Sequence, residues 1–346
     1  EKRKRMEMNR KIDAVITWVD GNDDAWIRER NRYAMQSAAD RYFRDWGTVK
    51  YVLRGIDAFM PWIDKVHFVT WGHTPFWLNK VCSRLRVVRH TDFFADKAHL
   101  PVFNSNAIEA NLHLIPELAD RFVYFNDDML VLKPAPLERF FRNGLPMDFI
   151  AQGIPRKGFL YRKLRSNEIY VDIVQNELNL LNVRFSKRDL LRKNPALFYS
   201  DNYAITDVCC NFLCNVLWRR YVWLGLYHHP QPYLKSSLLL AHELYGDVLS
   251  DVSTRRFRSR KDICQYIYRD VQLASGNFVP YTPRDVFCLN INSYDCLSKN
   301  KAKIENARFF CANDSTYLRT DEFEPTRHLL IDILEKILPD KSVFEI

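Results

Sequence analysis

Acidic side chains follow three short apolar segments that have the composition of buried strands. Asp20 follows IDAVITWV and precedes Gly21, Asp127 and Asp128 follow FVYFN, and Asp314 ends the motif CAND. Adjacent carboxylates at a strand end can hold Mg²⁺ or Mn²⁺ against a diphosphate, because these hard cations prefer oxygen ligands. Glycine beside such an acid lets a ligand approach the backbone closely. Asn and Asp also cap turns and helices, so the residues alone leave a metal site and a capping turn open.

A proton acceptor and a phosphate-binding cation have candidates further along the chain. The segment YHHPQPYLK places His228 and His229 before a Pro-Gln-Pro turn and ends at Lys235. Histidine is the side chain best suited to proton transfer near neutral pH. Arg258 lies in the basic run 255–261, and a guanidinium offers a fork of donors that matches phosphate oxygens. Together with the acids, these residues supply what phosphoryl transfer requires.

The segment HLPVFNSNAIEANLH predicts a helix over 107–114, with its start at Asn104 and Ser105. Free N–H groups at a helix N-terminus can bind a phosphate or a sugar oxygen. Glu109 and His113 stand four residues apart and would share one face of that helix. Such a pair resembles a metal-binding face but is more often only hydrogen-bonded, and the sequence leaves both interpretations open.

Strand and helix patterns alternate over the first 150 residues, which predicts an α/β fold with a mostly parallel, Rossmann-like sheet and helices on both faces. Ligands of such sheets bind beyond the carboxyl ends of the strands, where the acids described above are expected to lie. The predicted strands are 12–19, 66–70, 85–88, 122–125, 286–291 and 308–311. The predicted helices are one that opens at 23–26 and those at 49–59, 107–114, 171–181, 236–245, 262–273 and 328–338.

The net charge of +9 favours an anionic partner, such as a nucleotide diphosphate, a charged glycan, a nucleic acid or a membrane surface. The excess lies in the runs 1–5, 184–192 and 255–261. No nucleic-acid-binding module is recognisable, and the apolar stretch 208–218 is too short and too interrupted to span a membrane. The eight cysteines form no zinc-type pair of pairs and indicate a reduced, intracellular protein.

Four blocks of the sequence resemble the Stealth family of hexose-1-phosphate transferases and together span nearly the whole chain. The first is Ile12–Gly21, and the second is Arg41–Gly72, which continues through LPVFNSNAIEANLHLIPEL to FVYFNDD. The third joins HHPQPYLK to RRFRSRKDICQYIYRDVQLASGNFVP, and the fourth is CAND. Two positions depart from the family pattern, because Ala312 stands where Ile is expected and Asp20 stands where animal members carry Asn.

This resemblance implies a glycosyltransferase-A-like fold and a compact bacterial phosphotransferase. The donor would be a UDP-activated sugar, often an N-acetylhexosamine, and the acceptor a hydroxyl of a capsule or cell-wall glycan. Attack on the β-phosphorus would release UMP and form a phosphodiester, with the sugar C1–O bond intact. A cytoplasmic protein is expected, and peripheral association with the inner face of the membrane is left open.

The resemblance puts the catalytic weight on Asp127, Asp128, His228 and Arg258. We expect Asp128 to hold Mg²⁺ or Mn²⁺ together with Asp314. His228 is expected to act as the base toward the acceptor hydroxyl, and Arg258 to stabilise charge that grows on the transferred phosphate. The residues expected to bind the donor are Asp20, Gly21, Arg54, Asn104, Ser105, Glu109 and Lys235.

The chain is expected to form one integrated catalytic domain with three parts. Residues 1–150 would be the α/β half that binds the nucleotide sugar. Residues 151–285 would be a mainly helical insertion that carries the catalytic His and Arg, and residues 286–346 a return of strands with a closing helix.

Two other functions compete with this interpretation. A conventional metal-dependent glycosyltransferase would use the same Asn-Asp-Asp motif but would release UDP. A non-enzymatic, basic glycan-binding protein would account for the charge and for the 14% of aromatic residues. It would not account for acids at three strand ends in a chain that also carries the His and Arg motifs.

Overall fold

The structure is a computed structural model that describes residues 11–34, 44–156, 161 and 169–346. The basic run 1–5 and the first residues of the second family block, 41–43, lie outside these ranges. The strands are β1 Ile12–Thr17, β2 Val66–Thr70, β3 Leu85–Arg89, β4 Arg121–Asn126, β5 Met129–Val131, β6 Phe141–Arg142, β7 Leu145–Asp148, β8 Gln231–Leu234, β9 Val279–Pro280, β10 Val286–Ile291 and β11 Phe309–Asp314.

Helices occupy most of the remaining described chain. They are α1 Asp24–Tyr33, α2 Val49–Phe59, α3 His90–Phe93, α4 Ser105–Glu109, α5 Ile169–Arg184, α6 Lys187–Lys193, α7 Ile205–Leu217, α8 Lys235–Ser253, α9 Tyr266–Ala274, α10 Tyr294–Asn306 and α11 Thr320–Ile337. Single 3₁₀ turns lie at Lys97–His99, Leu112–Leu114, Leu137–Arg139 and Pro195–Leu197. No helix of the described ranges combines the length and the apolar character that crossing a bilayer requires.

A five-stranded sheet in the order β3-β2-β1-β4-β8 organises the fold. The strands β1 to β4 run parallel to their neighbours, and β8 pairs antiparallel with β4. The prediction of an α/β fold with a mostly parallel sheet is therefore confirmed. A smaller sheet in the order β10-β11-β5 adjoins it, because β5 follows β4 after a two-residue turn.

Apolar side chains point alternately to the two faces of the central strands, which explains why helices cover both faces of the sheet. Ala14 and Ile16 pack into one buried cluster, whereas Val15, between them, packs into another. This period of two is the geometry of a strand, and apolar residues on both faces need a cover on both faces. The first cluster also contains buried apolar residues from the range 291–344, so the closing segment completes the core that the first strands begin.

The predicted helix 107–114 is wrong in its second half. α4 ends at Glu109, and a 3₁₀ turn follows at Leu112–Leu114. Asn111 lies at the break, where its side-chain amide donates to the carbonyl of Ala107 at 2.9 Å and to Ser253 Oγ at 2.8 Å. A side chain that bonds the local backbone in this way competes with the helical pattern.

Arg54 was expected to bind phosphate, and the structure corrects this prediction. Its guanidinium is 3% exposed, and it donates from Nε and Nη2 to the two carboxylate oxygens of Glu345 at 2.9 and 3.0 Å. Nη1 donates to Glu335 at 3.0 Å and to the carbonyl of Leu338 at 2.7 Å. A buried bidentate pair of this kind holds the C-terminal segment against α2, so Arg54 stabilises the fold.

Candidate active site

The strand order reverses direction between β1 and β4, because β2 and β3 lie on one side of β1 and β4 lies on the other. Parallel sheets bind ligands in the crevice beyond the carboxyl ends at such a reversal. Thr17, the last residue of β1, pairs in register with Asn126, the last residue of β4. The two acidic motifs of the first half, at residue 20 and at residues 127–128, therefore flank the same crevice.

Four carboxylates influence one another around this crevice, those of Asp20, Asp45, Asp127 and Asp128. Burial, followed by the charges of Asp128 and Asp45, raises the pKa of Asp127 to about 8. Burial also raises the pKa of Asp45, although the Gly47 amide donates to it, and the charge of Asp20 adds to the increase. Carboxylates that are partly removed from water and close to one another favour either a proton or a cation.

The Asp20–Gly21 turn is held by His73. The amide of Asp20 donates to His73 Nε2 at 2.8 Å, and Asp20 Oδ1 accepts from the amide of Asn22 at 2.8 Å. Burial lowers the pKa of His73, which favours the neutral ring that accepts this bond. The turn is thus fixed at the end of β1, where the prediction places a nucleotide contact.

Two pairings bring distant residues to Asp128. The chain turns at Asp127 and Asp128 into β5, which pairs antiparallel with β11 so that Met129 faces Cys311. The amide of Ala312 donates to the carbonyl of Asp128 at 3.0 Å. On the other side, β8 runs antiparallel to β4, so the residues just before β8 return to the carboxyl end of β4.

His228 is consequently the histidine at the carboxylate pair. Its Nδ1 lies 3.8 Å from Asp128 Oδ2 and 3.1 Å from Cys311 Sγ, and its Nε2 lies 3.0 Å from Asn126 Nδ2. The side chain is 33% exposed, so a substrate can reach it.

His229 has a different environment. It is buried, its Nδ1 lies 2.6 Å from the carbonyl of Pro230, and burial lowers its pKa to about 3. A ring held in this way supports the strand and does not exchange protons near neutral pH.

Asp128, His228 and Cys311 each offer one ligand atom, and these atoms lie within 4.8 Å of one another. Asp128 Oδ1 is buried without a hydrogen-bond partner, which is the condition of an oxygen that can accept a cation. Asp128 therefore offers an oxygen that fits a hard divalent cation, whereas the His228 nitrogen and the Cys311 sulfur are ligands that softer ions prefer.

Asp314, expected as the second metal ligand, is held elsewhere. Its carboxylate pairs with the guanidinium of Arg44, with Nε to Oδ2 at 3.2 Å and Nη2 to Oδ1 at 3.4 Å. The residue of this strand that reaches Asp128 is instead Cys311, three residues earlier in the same motif, and its Sγ lies 3.1 Å from His228 Nδ1.

A second group of predicted residues lies around α4. Arg258 Nη2 donates to Ser105 Oγ at 2.8 Å, and the rest of the Arg258 side chain is exposed. Asn104 caps α4, and its side-chain amide donates to Asp262 Oδ2 at 3.0 Å and toward the carbonyl of Arg255 at 3.3 Å. Asn104 therefore acts by fixing the loop that carries Arg258, and Ser105 orients the guanidinium.

Glu109 links this group to the sheet. It is buried, and its two oxygens accept from Tyr124 Oη at 3.0 Å and from the amide of Gln265 at 2.8 Å. Tyr124 Oη also lies 2.9 Å from Thr17 Oγ1, at the end of β1. Burial raises the pKa of Glu109, while these two bonds and the charge of Arg258 oppose the increase.

The Glu109–His113 metal face, one of the two interpretations that the sequence left open, is not formed. His113 stacks on His242 with ring centroids 3.5 Å apart, while Glu109 bonds Tyr124 and Gln265. The helix break at Asn111 separates the two side chains that the sequence pattern placed on one face.

Lys235, expected to contact the donor, lies at the wrong end of the sheet. Its amide donates to the carbonyl of Asp120 at 2.8 Å, at the start of β4. Because β8 is antiparallel to β4, a strand that brings His228 to the end of β4 carries Lys235 away from it.

Comparisons with known proteins agree with the motifs. The chain matches the family model Stealth protein CR1, conserved region 1, over residues 10–38, and Stealth protein CR2, conserved region 2, over residues 42–148. It is 32% identical to a capsular polysaccharide phosphotransferase, WcwK, of Streptococcus pneumoniae, over 98% of this chain and 99% of that protein. It is also 32% identical to the receptor polysaccharide phosphotransferase WefC of Streptococcus gordonii, over 98% of this chain and 100% of that protein. A third relative, the exopolysaccharide phosphotransferase cps2G of Lactiplantibacillus plantarum, is 32% identical over 96% of both chains.

The raised pKa of Asp127 predicts a pH-dependent stability in the presence of EDTA. An aspartate of the unfolded chain loses its proton near pH 3.9, whereas folded Asp127 keeps it up to about pH 8. The free energy of unfolding should therefore fall as pH rises between these values, by at most about 1.4 kcal/mol per pH unit. Asp127→Asn should flatten this slope in urea denaturation between about pH 5 and pH 8.

Asp321→Asn is the control, because Asp321 is an exposed carboxylate paired with Arg319 and is outside the crevice. It should keep the wild-type slope. An Asp127→Asn slope equal to that of the wild type would mean that Asp127 is already ionised in the folded protein.

Proposed function

The chain belongs to the Stealth family, and from this premise we propose that it transfers a sugar-1-phosphate from a UDP-sugar to a hydroxyl of a capsular or cell-surface glycan. The observation that carries the proposal is the position of His228, 3.8 Å from Asp128 at the reversal of strand order. With His228 as the proton acceptor and Asp128 as a cation ligand, the two groups would stand side by side, as attack of a hydroxyl on a diphosphate requires.

We propose the following bond changes. The acceptor oxygen attacks the β-phosphorus of the donor, and the bond from that phosphorus to the oxygen bridging the α-phosphate breaks. UMP leaves with the bridging oxygen, and the bond between the anomeric carbon and its oxygen is untouched. The product is a phosphodiester between two sugars.

His228 would take the proton of the acceptor hydroxyl at Nε2. Asn126 Nδ2 now lies 3.0 Å from that nitrogen, so the amide marks the direction from which the hydroxyl would approach and must rotate away. Asp128 and Cys311 lie on the Nδ1 side, where they orient the ring. A carboxylate behind a histidine also stabilises the imidazolium that forms.

Mg²⁺ or Mn²⁺ would be held by Asp128, with Asp127 beside it, and would neutralise charge on the diphosphate. Asp127 would lose its proton when the cation binds, because a nearby positive charge lowers the pKa of a carboxyl. Asp20 and Gly21 would contact the nucleotide from the end of β1. Arg258, oriented by Ser105, would reach the transferred phosphate with the donors that Ser105 does not use.

The names of the relatives support a polysaccharide acceptor and a phosphotransferase reaction. The UDP nucleotide, the N-acetylhexosamine and the cation are part of the proposal. So are a cytoplasmic location and a peripheral association with the inner membrane.

The released nucleotide tests the reaction class. Incubation with a panel of UDP-sugars, a glycan acceptor and Mg²⁺ should yield UMP, identified by mass spectrometry, and EDTA should abolish its release. Release of UDP would instead make the protein a conventional glycosyltransferase that uses the same acidic motif.

The two adjacent histidines provide a matched test of the base. His228→Ala should lower turnover by about a hundredfold to ten-thousandfold, while the affinity for the UDP-sugar, measured by calorimetry, stays near wild type. His229→Ala should lower the melting temperature, because His229 is buried against the Pro230 carbonyl, but should leave turnover per folded molecule within a few-fold. Loss of donor binding in His228→Ala with an unchanged chemical step would make His228 a donor ligand and would remove it as the base.

A further inference from the structure

α7 turns its polar side chains inward and its apolar side chains toward solvent. Asn211 is fully buried, where it donates to the carbonyls of Ile150 at 2.6 Å and Phe198 at 2.9 Å and accepts from the amide of Gln152 at 2.8 Å. In the first turn, Asp207 accepts from Thr282 Oγ1 at 2.9 Å. These bonds fix the orientation of the helix, because rotating it would leave buried polar groups without partners.

The outward face is therefore apolar over the length of the helix. Large hydrophobic residues on it are between 56% and 74% exposed: Ile205, Phe212, Leu213, Val216 and Leu217. A shallow apolar groove beside them is lined by Tyr199, Val208, Cys209, Phe212 and Leu213. Scattered exposed hydrophobic residues need no explanation, but a continuous stripe indicates a surface that binds something apolar.

Basic side chains border this apolar face. Arg219 and Arg220 are exposed and follow the last turn of α7 directly. On α6, the buried Lys187 Nζ donates to the carbonyl of Cys214 at 3.1 Å and so holds the polar side of α7 inward. An apolar helical face with cations at its margin is the pattern of a helix that lies in the interface of an anionic bilayer.

We propose that the outward face of α7 docks the protein onto an anionic membrane surface. This inference rests on the proposed peripheral association and names the surface responsible for it. Ile205, Phe212, Leu213, Val216 and Leu217 insert among the acyl chains, and the bordering arginines contact lipid phosphates.

A second copy of the chain fits this surface less well. A helix of 13 residues is about 20 Å long and about 10 Å wide, so its face projects on the order of 200 Å², whereas a stable dimer usually buries about 800 Å² per partner. Anionic lipid also carries the charge that complements Arg219 and Arg220, whereas a second copy would present the same two arginines.

α7 also packs against the segment that leads to the candidate base. Asn211 donates to the carbonyl of Ile150 at 2.6 Å, and the ring centroid of the adjacent Phe149 lies 5.0 Å from that of Tyr227, which directly precedes His228. Docking through α7 would therefore hold the protein at the lipid surface by an element that packs against this segment.

Flotation of the full chain with lipid vesicles tests the proposal. The protein should float with vesicles of phosphatidylcholine containing phosphatidylglycerol and should bind vesicles of pure phosphatidylcholine at least tenfold more weakly. Phe212→Glu combined with Leu213→Glu should lower binding to the anionic vesicles at least tenfold. Phe76→Glu is the apolar control, because Phe76 is 91% exposed and lies outside α7, and it should bind like wild type.

Two double variants with the same change in net charge test the arginines at the border of the apolar face. Arg219→Glu with Arg220→Glu should weaken vesicle binding and its dependence on salt. Lys299→Glu with Lys301→Glu changes the net charge equally at residues that pair with Asp295 and Glu305 on α10, and it should leave binding unchanged. Equal loss in both pairs would reduce the effect to net charge and would overturn the proposal.

Three other results would also overturn it. These are no flotation of the wild type, flotation of Phe212→Glu/Leu213→Glu at the wild-type level, and a dimer in sedimentation that this variant dissociates. Turnover with a soluble glycan acceptor, measured without vesicles, separates this inference from the proposed reaction. Turnover without flotation defeats only the inference, and flotation without turnover defeats only the proposed reaction.

Discussion

Adjacent carboxylates at the end of β4 are held partly out of water, and their burial and mutual repulsion constrain what the rest of the site can bind. Asp127 and Asp128 lie in a turn of two residues between β4 and β5, so neither can move away from the other without breaking the strand pairing. The raised pKa of Asp127 and the unpartnered Oδ1 of Asp128 are two consequences of the same constraint. A cation would relieve both, which is why the proposed donor, a metal-bound diphosphate, would suit this position.

The position of His228 relative to these carboxylates depends on a buried ion pair elsewhere. Arg269 and Asp148 form a bidentate pair, with side chains 1% and 2% exposed, and Gln231 Nε2 donates to the same carboxylate at 2.9 Å. Arg269 Nη1 also donates to the carbonyl of Gly225 at 3.2 Å. Gly225 before His228 and Gln231 after it are thereby anchored to α9 and β7. His228 therefore lies in a segment that is fixed at both ends, although it is outside β8.

Local patterns in the sequence predicted six of the strands, β1 to β4, β10 and β11, because buried strands such as β2 and β4 are short, mostly apolar runs with clear ends. They missed β5 to β9, which are only two to four residues long. They could not predict which arginine binds phosphate. Arg54 and Arg258 both lie in family blocks, but Arg54 meets Glu345, almost 300 residues later in the chain, and is saturated by it. The direction of β8 and the register of β11 likewise depend on pairing with strands that are distant in the sequence. The direction of β8 carries Lys235 away from the site, and the register of β11 brings Cys311, and not Asp314, to Asp128. The orientation of α7 is also non-local, because the carbonyls of Ile150 and Phe198 that Asn211 contacts require the polar side of this apolar helix to face inward.

The central claim is that the bond broken lies between the two phosphates and not at the anomeric carbon. A UDP-sugar carrying ¹⁸O in the bridge between the anomeric carbon and the β-phosphorus tests this directly, with mass spectrometry of both products. The account predicts that the ¹⁸O stays in the phosphodiester product and that the released nucleotide is unlabelled UMP. Labelled UDP with an unlabelled glycan would show that the C1–O bond is cleaved and would contradict it.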